Sequence, residues 1–307
     1  MPELLSTFST VFFAFGLGFA VQRIRSLGEQ TLTQLSGLVV GVLLPFYLFV
    51  TTATGVTLET LRVAPTLVGM GVGISLFNYV LATAALKPLQ IADGQRSAFR
   101  FSIMLANTGF LGFAVCGALF GPVGLLYAVL YDFGSTLVAL TLGVWELKGG
   151  RLDDWRPLFA NPLIWGVVAG LLWAVVGLPF PDWLAAPFEN LGNATLPLAL
   201  LVCGAQVGSI RSQAPAWRRQ LTGLTVTRLV VAPLIVGLLM FMIGWRDLFA
   251  KVAVVQAAMP AGIVTSIMAK AHGADAEFAA SATLWSTLAS MVTLPLVAFL
   301  LVYQFAP

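Results

Sequence analysis

Ten long apolar runs, joined by short polar connections, constrain this chain more than any other feature. They cover roughly residues 4–21, 32–53, 63–86, 97–117, 122–145, 161–178, 191–209, 220–243, 249–270 and 277–303. A helix needs about 20 mainly apolar residues to cross the hydrocarbon core of a bilayer. The alternating segments of about ten residues that mark a transmembrane β-barrel are absent. Of the 307 residues, 59% are hydrophobic and 9% are charged, against about a quarter charged in soluble domains. So few polar side chains cannot clothe a soluble globule, which excludes a soluble enzyme, a nucleic-acid binder and a disordered chain. The fold class expected is an all-α integral membrane protein with ten transmembrane helices, surrounded by membrane lipid. The first run follows Met1-Pro2-Glu3, and Arg23 and Arg25 come after it. It therefore reads as a span and not as a signal peptide.

Lys and Arg in alternate connections set the orientation. One set holds Arg23, Arg25, Lys87, Arg96, Arg100, Lys148, Arg151, Arg156, Arg211, Arg218, Arg219 and Lys270. The other holds only Arg62, Arg246 and Lys251. The first set is expected in the cytoplasm, with both termini outside a plasma (inner) membrane. Arg228, the last of the 16 basic residues, belongs to neither set because it lies inside the eighth run.

The two halves of the chain match weakly at an offset of 150 to 153 residues. Pro45 meets Pro197, and Ala64-Pro65 meets Ala214-Pro215. Thr108-Gly109 meets Ala261-Gly262, and Ser135-Thr136-Leu137 meets Ser286-Thr287-Leu288. Each match is slight, but the shared offset predicts an internal repeat: residues 1–146, a linker 147–160, then 161–307. Five spans per half is an odd number, so the second half enters the membrane inverted. Inverted repeats place a transporter's substrate where interrupted helices meet near the midplane.

Two runs are built to be interrupted. In the fourth, Asn107-Thr108-Gly109-Phe110-Leu111-Gly112 is poor helix interior, since Gly is flexible and Asn and Thr compete for backbone hydrogen bonds. The ninth reads Ala257-Ala258-Met259-Pro260-Ala261-Gly262, where Pro260 removes a backbone donor. Breaks of this kind expose helix N-termini, whose free N–H groups and positive dipole ends suit a carboxylate. Thr108, Gly109, Gly112, Ala261 and Gly262 are accordingly candidates for the substrate site, beside Asn107 and Pro260. Gln256, one turn before Pro260, joins them.

A midplane charge costs about 2.5 kcal/mol or more on insertion scales. Asp132 lies roughly 15 Å into the fifth run at 1.5 Å per residue, and Arg228 is comparably deep in the eighth. They form a structural ion pair, or Asp132 is a proton or cation site with Arg228 tuning it or holding a substrate carboxylate. The neutral Asn78 and Gln206 fit interhelical hydrogen bonds. Glu146, at the end of the fifth run, is expected to be solvated. Cys116 and Cys203 are expected to pack as small hydrophobes. His272, the single histidine, has no clustered thiolates, so no metal site is expected. No nucleotide-binding fingerprint and no Ser/His or paired-carboxylate constellation is present, so neither a cofactor nor enzymatic activity is expected.

The chain resembles the auxin efflux carrier family, which includes plant exporters and bacterial malate or malonate carriers. The resemblance rests on Asn107-Thr108-Gly109-Phe110-Leu111-Gly112 and on Ala257 through Val264. Asn161-Pro162-Leu163-Ile164, Leu196-Pro197-Leu198-Ala199-Leu200 and Thr293-Leu294-Pro295 add to it. It implies ten helices in two inverted five-helix repeats, with broken helices 4 and 9 crossing. It also implies a scaffold of helices 1–2 and 6–7 that forms a homodimer, and a transport body of helices 3–5 and 8–10. The substrate implied is a small organic anion held by Asn107 and the backbone around Pro260. Proton and sodium coupling stand as alternatives, the latter in the manner of the bile-acid symporters. Where the family has Gly-x-Pro, this chain has Gly112-Phe113-Ala114, so the fourth-helix break is expected to rest on Gly109 and Gly112. Thr265 stands where the plant exporters tend to carry a second proline.

Overall fold

The computed structural model describes residues 2–25, 27–55, 57–151, 162–177, 182–211 and 216–304. The described chain is helical, and its one β-type pairing is an isolated bridge. In order come α1 (Pro2–Arg25), α2 (Glu29–Gly55) and α3 (Leu58–Ala85). A short α4 (Arg96–Met104) precedes a continuous helical run, Thr108–Leu147. Then follow α7 (Pro162–Val176), α8 (Asp182–Ser209) and α9 (Arg218–Ile243). Two short helices, α10 (Leu248–Ala257) and α11 (Val264–Ala271), lead to α12 (Ala276–Gln304). Most of the linker expected at 147–160, with Trp155 and Arg156, lies outside the described residues.

Seven helical runs are long and apolar enough to cross a membrane, and Thr108–Leu147 counts among them as one run of 40 residues. A straight helix of that length would reach about 60 Å, twice the hydrocarbon core. It is not straight. Gly121 has φ 68° and ψ −162°, a left-sided conformation that glycine adopts freely. Pro122 follows, suited to a first helical position. A Cβ on Gly117 would lie 3.7 Å from Cβ of Leu125, although eight residues of helix rise about 12 Å. The chain therefore folds back into a hairpin of α5 (residues 108–120) and α6 (residues 122–147).

Close backbone approach welds the helices into groups, as small residues allow in membranes. In the α1–α8 seam, Gly18 abuts the carbonyl of Leu201, and Gly204 abuts that of Phe15. The α2–α7 seam places Gly166 and Gly170 on the carbonyls of Pro45 and Phe49. In the α3–α6 seam, Gly71 meets the carbonyl of Tyr131 and Gly134 that of Val68. Outward-facing side chains such as Phe13, Met242 and Val292, each over 70% exposed, are apolar. That is the reverse of a soluble surface and fits contact with lipid.

Glu146 departs from its solvated expectation. It is 7% exposed, and Arg100 of α4 binds one of its carboxylate oxygens through both Nε, at 2.9 Å, and Nη2. The Tyr79 hydroxyl of α3 donates to the other oxygen at 2.7 Å. The carboxylate ties α3, α4 and α6 together because each oxygen finds a donor, the condition for tolerating a buried charge. Gln206 Nε2 donates to the Ser36 hydroxyl and links α8 to α2, as the structural reading of that residue anticipates.

A Gly204→Val variant should destabilise the protein by about 1–3 kcal/mol, since its side chain has no space against the Phe15 carbonyl. Thermal unfolding in detergent, followed by tryptophan fluorescence, should show a lower midpoint. An unchanged midpoint would contradict the α1–α8 seam.

Candidate functional site

Helix α4 stops at Met104 because Leu105 turns extended (φ −97°, ψ 108°), and Asn107 (φ −80°, ψ 57°) starts the next helix from a non-helical conformation. Helix α10 stops at Ala257, and Pro260 lies in the gap before α11. The two gaps cross, and Ala106 and Ala261 form an antiparallel bridge. The Asn107 N–H donates to the Pro260 carbonyl at 2.8 Å, and the Gly262 N–H donates to the Leu105 carbonyl at 3.0 Å. Each break thus satisfies the other, as irregular backbone at membrane depth requires.

Helix α12 completes the crossing. The Ala261 N–H donates to Ser286 Oγ at 3.1 Å, while Thr283 Oγ1 and Thr265 Oγ1 donate to the Gly262 carbonyl at 3.1 and 2.6 Å. A Cβ on Gly262 would lie 3.1 Å from the Ala106 carbonyl oxygen, a tight contact that the bridge could relieve only by giving a few tenths of an ångström. Thr283 and Ser286 were not singled out as site residues. Their buried hydroxyls, one turn apart on an apolar helix, were the available signal.

The break in the fourth span falls at residues 105–107, before Gly109 and Gly112 and not on them. Both glycines occupy the π-helical turn Thr108–Gly112 that opens α5. Gly112 serves close approach, since a Cβ there would collide with Gln256 Oε1, whereas one on Gly109 would make ordinary contact, 4.0 Å, with both Asp132 carboxylate oxygens. The pairing of Asn107 with Pro260 fixes the break, so the Ala114 departure does not displace it.

Asn107 is 4% exposed, and its Nδ2 donates to Cys203 Sγ on α8 at 3.4 Å. Cys203 is thus more than a space-filling hydrophobe. Thr108 Oγ1 donates to Asp132 Oδ1. Gln256 is fully buried and donates from Nε2 to the Ala128 carbonyl at 3.3 Å, while its Oε1 has no partner among the described residues. The structure therefore brings Asn107, Thr108, Gly109, Gly112, Gln256, Pro260, Ala261 and Gly262 to one place, with Asp132 beside them.

Asp132 and Arg228 do not form an ion pair. Arg228 sits in the π-helical turn Thr227–Val231 of α9, 1% exposed, and neither its Nε nor its Nη1 has a hydrogen-bond partner among the described residues. It lies within electrostatic reach of Tyr131. Consecutive residues of a helix point about 100° apart, so Asp132 faces away, toward Thr108. Asp132 also lines a small cavity of about 10 Å³ with Leu48, Phe113, Thr136, Leu163 and Val167. Among the described residues no cluster of three His, Cys, Asp or Glu side chains could hold a metal.

Two interrupted helices that cross at a buried polar point are the arrangement in which many membrane transporters hold a substrate. The family described as Membrane transport protein matches residues 4–153 and 150–298, and the chain belongs to that family, the family of the auxin efflux carriers. An uncharacterized transporter of Methanothermobacter thermautotrophicus is 27% identical over 91% of this chain and 92% of its own length. A second, from Methanocaldococcus jannaschii, is 24% identical over 88% of this chain and 90% of its own. Auxin efflux carrier component 1 of Arabidopsis thaliana is 24% identical over 45% of this chain and 23% of its own length.

Replacing Ser286 by Ala should strand the Ala261 N–H in a dry interior, at a cost of about 1–3 kcal/mol. Ser286→Thr should retain most of the stability. Equal unfolding midpoints for the Ala variant and the parent would show that the crossing does not depend on α12.

Proposed function

We propose that the protein is a secondary-active or facilitative carrier of a small organic carboxylate, bound where α4–α5 and α10–α11 cross. The observation that carries this reading is that α5 and α11 both begin at the crossing. Two helix N-termini, each a positive dipole end, converge there. Asn107 adds a donor whose present partner is the weakly accepting sulfur of Cys203, which an oxyanion would replace favourably.

The proposed topology is ten crossings in two inverted repeats, residues 1–146 and 161–307, with both termini outside the plasma (inner) membrane. Dividing Thr108–Leu147 at Gly121, and counting α7 and the interrupted α10–α11 as crossings, raises seven runs to ten. The seams are related in the same sense: α1 packs on α8 through Gly18, and α7 packs on α2 through Gly166 and Gly170. Their offsets, 148 and 152 residues, lie close to the 150 to 153 of the sequence matches.

Transport is proposed to proceed by alternating access. The bodies α3–α6 and α9–α12 shift against a scaffold of α1, α2, α7 and α8, which also supplies the homodimer interface. Backbone-to-glycine seams hold α1 to α8, α2 to α7, and α3 to α6, whereas the Asn107–Cys203 contact between the bodies is weak.

Purified protein should be stabilised against heat by at least one of acetate, lactate, malonate, malate, succinate and citrate. Asn107→Ala should weaken binding of that compound by about tenfold or more, the worth of one hydrogen bond to a charged group. No stabilisation by any of the six, or equal affinity in the variant, would overturn the assignment.

A further inference from the structure

The Asp132 carboxylate stands at the start of α5, the helix end that the proposed function gives to the substrate. Thr108 Oγ1 donates to it, and Thr136 gives it a second hydroxyl partner. No Lys, Arg or His of the described residues pairs with it, and its cavity is walled by Leu48, Phe113, Leu163, Ile164 and Val167. A structural carboxylate at this depth would be expected to hold a cationic partner. A hydroxyl partner suits a different task. Thr108 can donate to the ionised carboxylate and, by rotating, accept from the protonated acid, so both states are satisfied without rearrangement.

Arg228 supplies the second half of the inference. It is buried, permanently charged and unpaired by any carboxylate among the described residues. The empty carrier with Asp132 ionised has one positive charge, buried, and one negative charge, part-buried. Binding a monoanion beside ionised Asp132 would put two carboxylates at one helix end, which neighbouring like charges oppose. If Asp132 takes up a proton at the same time, the loaded carrier again balances, Arg228 against the substrate. The half-loaded forms alone carry a net charge through the low-dielectric barrier.

We infer that Asp132 is the coupling site of this carrier and that it binds one proton together with each substrate monoanion, giving electroneutral symport. The inference rests on the carboxylate reading above. The proton passes from water on the loading side to a carboxylate oxygen of Asp132, and returns to water on the other side after the anion leaves. No other bond changes.

The groups around Asp132 leave it alone in this role. Tyr131 precedes it on α6, Cys116 lies on α5 and Cys203 on α8, and Arg228 is on α9. Helices α2 and α7 contribute apolar side chains to its cavity, and α10 brings the neutral Gln256. None is a second carboxylate or a histidine. His272, in the turn after α11, is held below its ordinary titration range by burial and by the charge of Lys148.

The test uses full-length protein in sodium-free proteoliposomes with an internal pH dye, and the same six carboxylates in radiolabelled form. An alkaline interior should accelerate uptake, with one proton entering per monoanion. Below the titration of Asp132 the proton is already bound and affinity is flat with pH; above it, Kd should rise about tenfold per pH unit. Asp132→Asn should abolish proton movement and flatten that pH dependence, and His272→Gln should leave the parent's profile intact. Uptake without proton entry, uptake requiring added sodium, or an unaltered pH profile in Asp132→Asn would overturn the coupling and leave the carboxylate reading standing. If none of the six is bound or moved, the carboxylate reading fails and the coupling falls with it. Should Asp132→Asn not fold, Thr108→Val carries the test: losing a hydroxyl that donates to Asp132 should move the pH at which Kd begins to rise upward, and an unmoved profile would overturn the assignment.

Discussion

Two backbone hydrogen bonds, Asn107 to Pro260 and Gly262 to Leu105, are what the rest of this structure depends on. A chain inside a bilayer cannot leave peptide groups unpaired, because the hydrocarbon offers no substitute for water. A helix can be interrupted there if another interruption stands opposite it. The crossing meets that condition, and Thr283, Ser286 and Thr265 take up peptide groups that the bridge leaves over. Everything proposed about function follows from what surrounds this point: two helix starts, an amide, and a carboxylate.

The large features were legible in the residues, and the reasons are physical. Apolar runs mark helices because only helices satisfy their own backbone in lipid. The separation of α5 from α6 is legible as the gap between the runs ending at 117 and starting at 122, and the α10 break at Pro260, because proline acts on its own backbone. The α4 break was misplaced because nothing local determines it. Residues 105–107 include no glycine or proline, and their extended path is imposed by a partner some 155 positions later. Burial of Glu146 was missed for a similar reason, since a carboxylate at the end of an apolar run reads as solvated until Arg100 and Tyr79 are seen to converge on it.

Asp132 and Arg228 show the limit of arguing from depth. Equal depth and opposite sign suggested a pair, but depth says nothing about direction around the helix axis. Tyr131 and Asp132 are adjacent in sequence and face different neighbours, one toward α9 and the other toward α5 and the cavity beside α2 and α7. The result is a buried guanidinium and a separate, part-buried carboxylate instead of one neutral pair. A carrier built this way keeps a fixed positive charge and a hydroxyl-bonded carboxylate available to different tasks.

The crossing also bears on how the chain can be made. Helix α4 has nine residues, about 14 Å of rise, and α5 spans residues 108–120, so neither crosses the hydrocarbon alone. While the ribosome is still working through the middle of the protein, the Leu105 carbonyl and the Asn107 amide have no lasting partner. Those partners arrive with Pro260 and Gly262, when most of the chain has been synthesised. Until then the first half stands in the membrane without these two bonds. The crossing cannot be completed until Gly262 has been made, and it joins the two halves alongside the α1–α8 and α2–α7 seams.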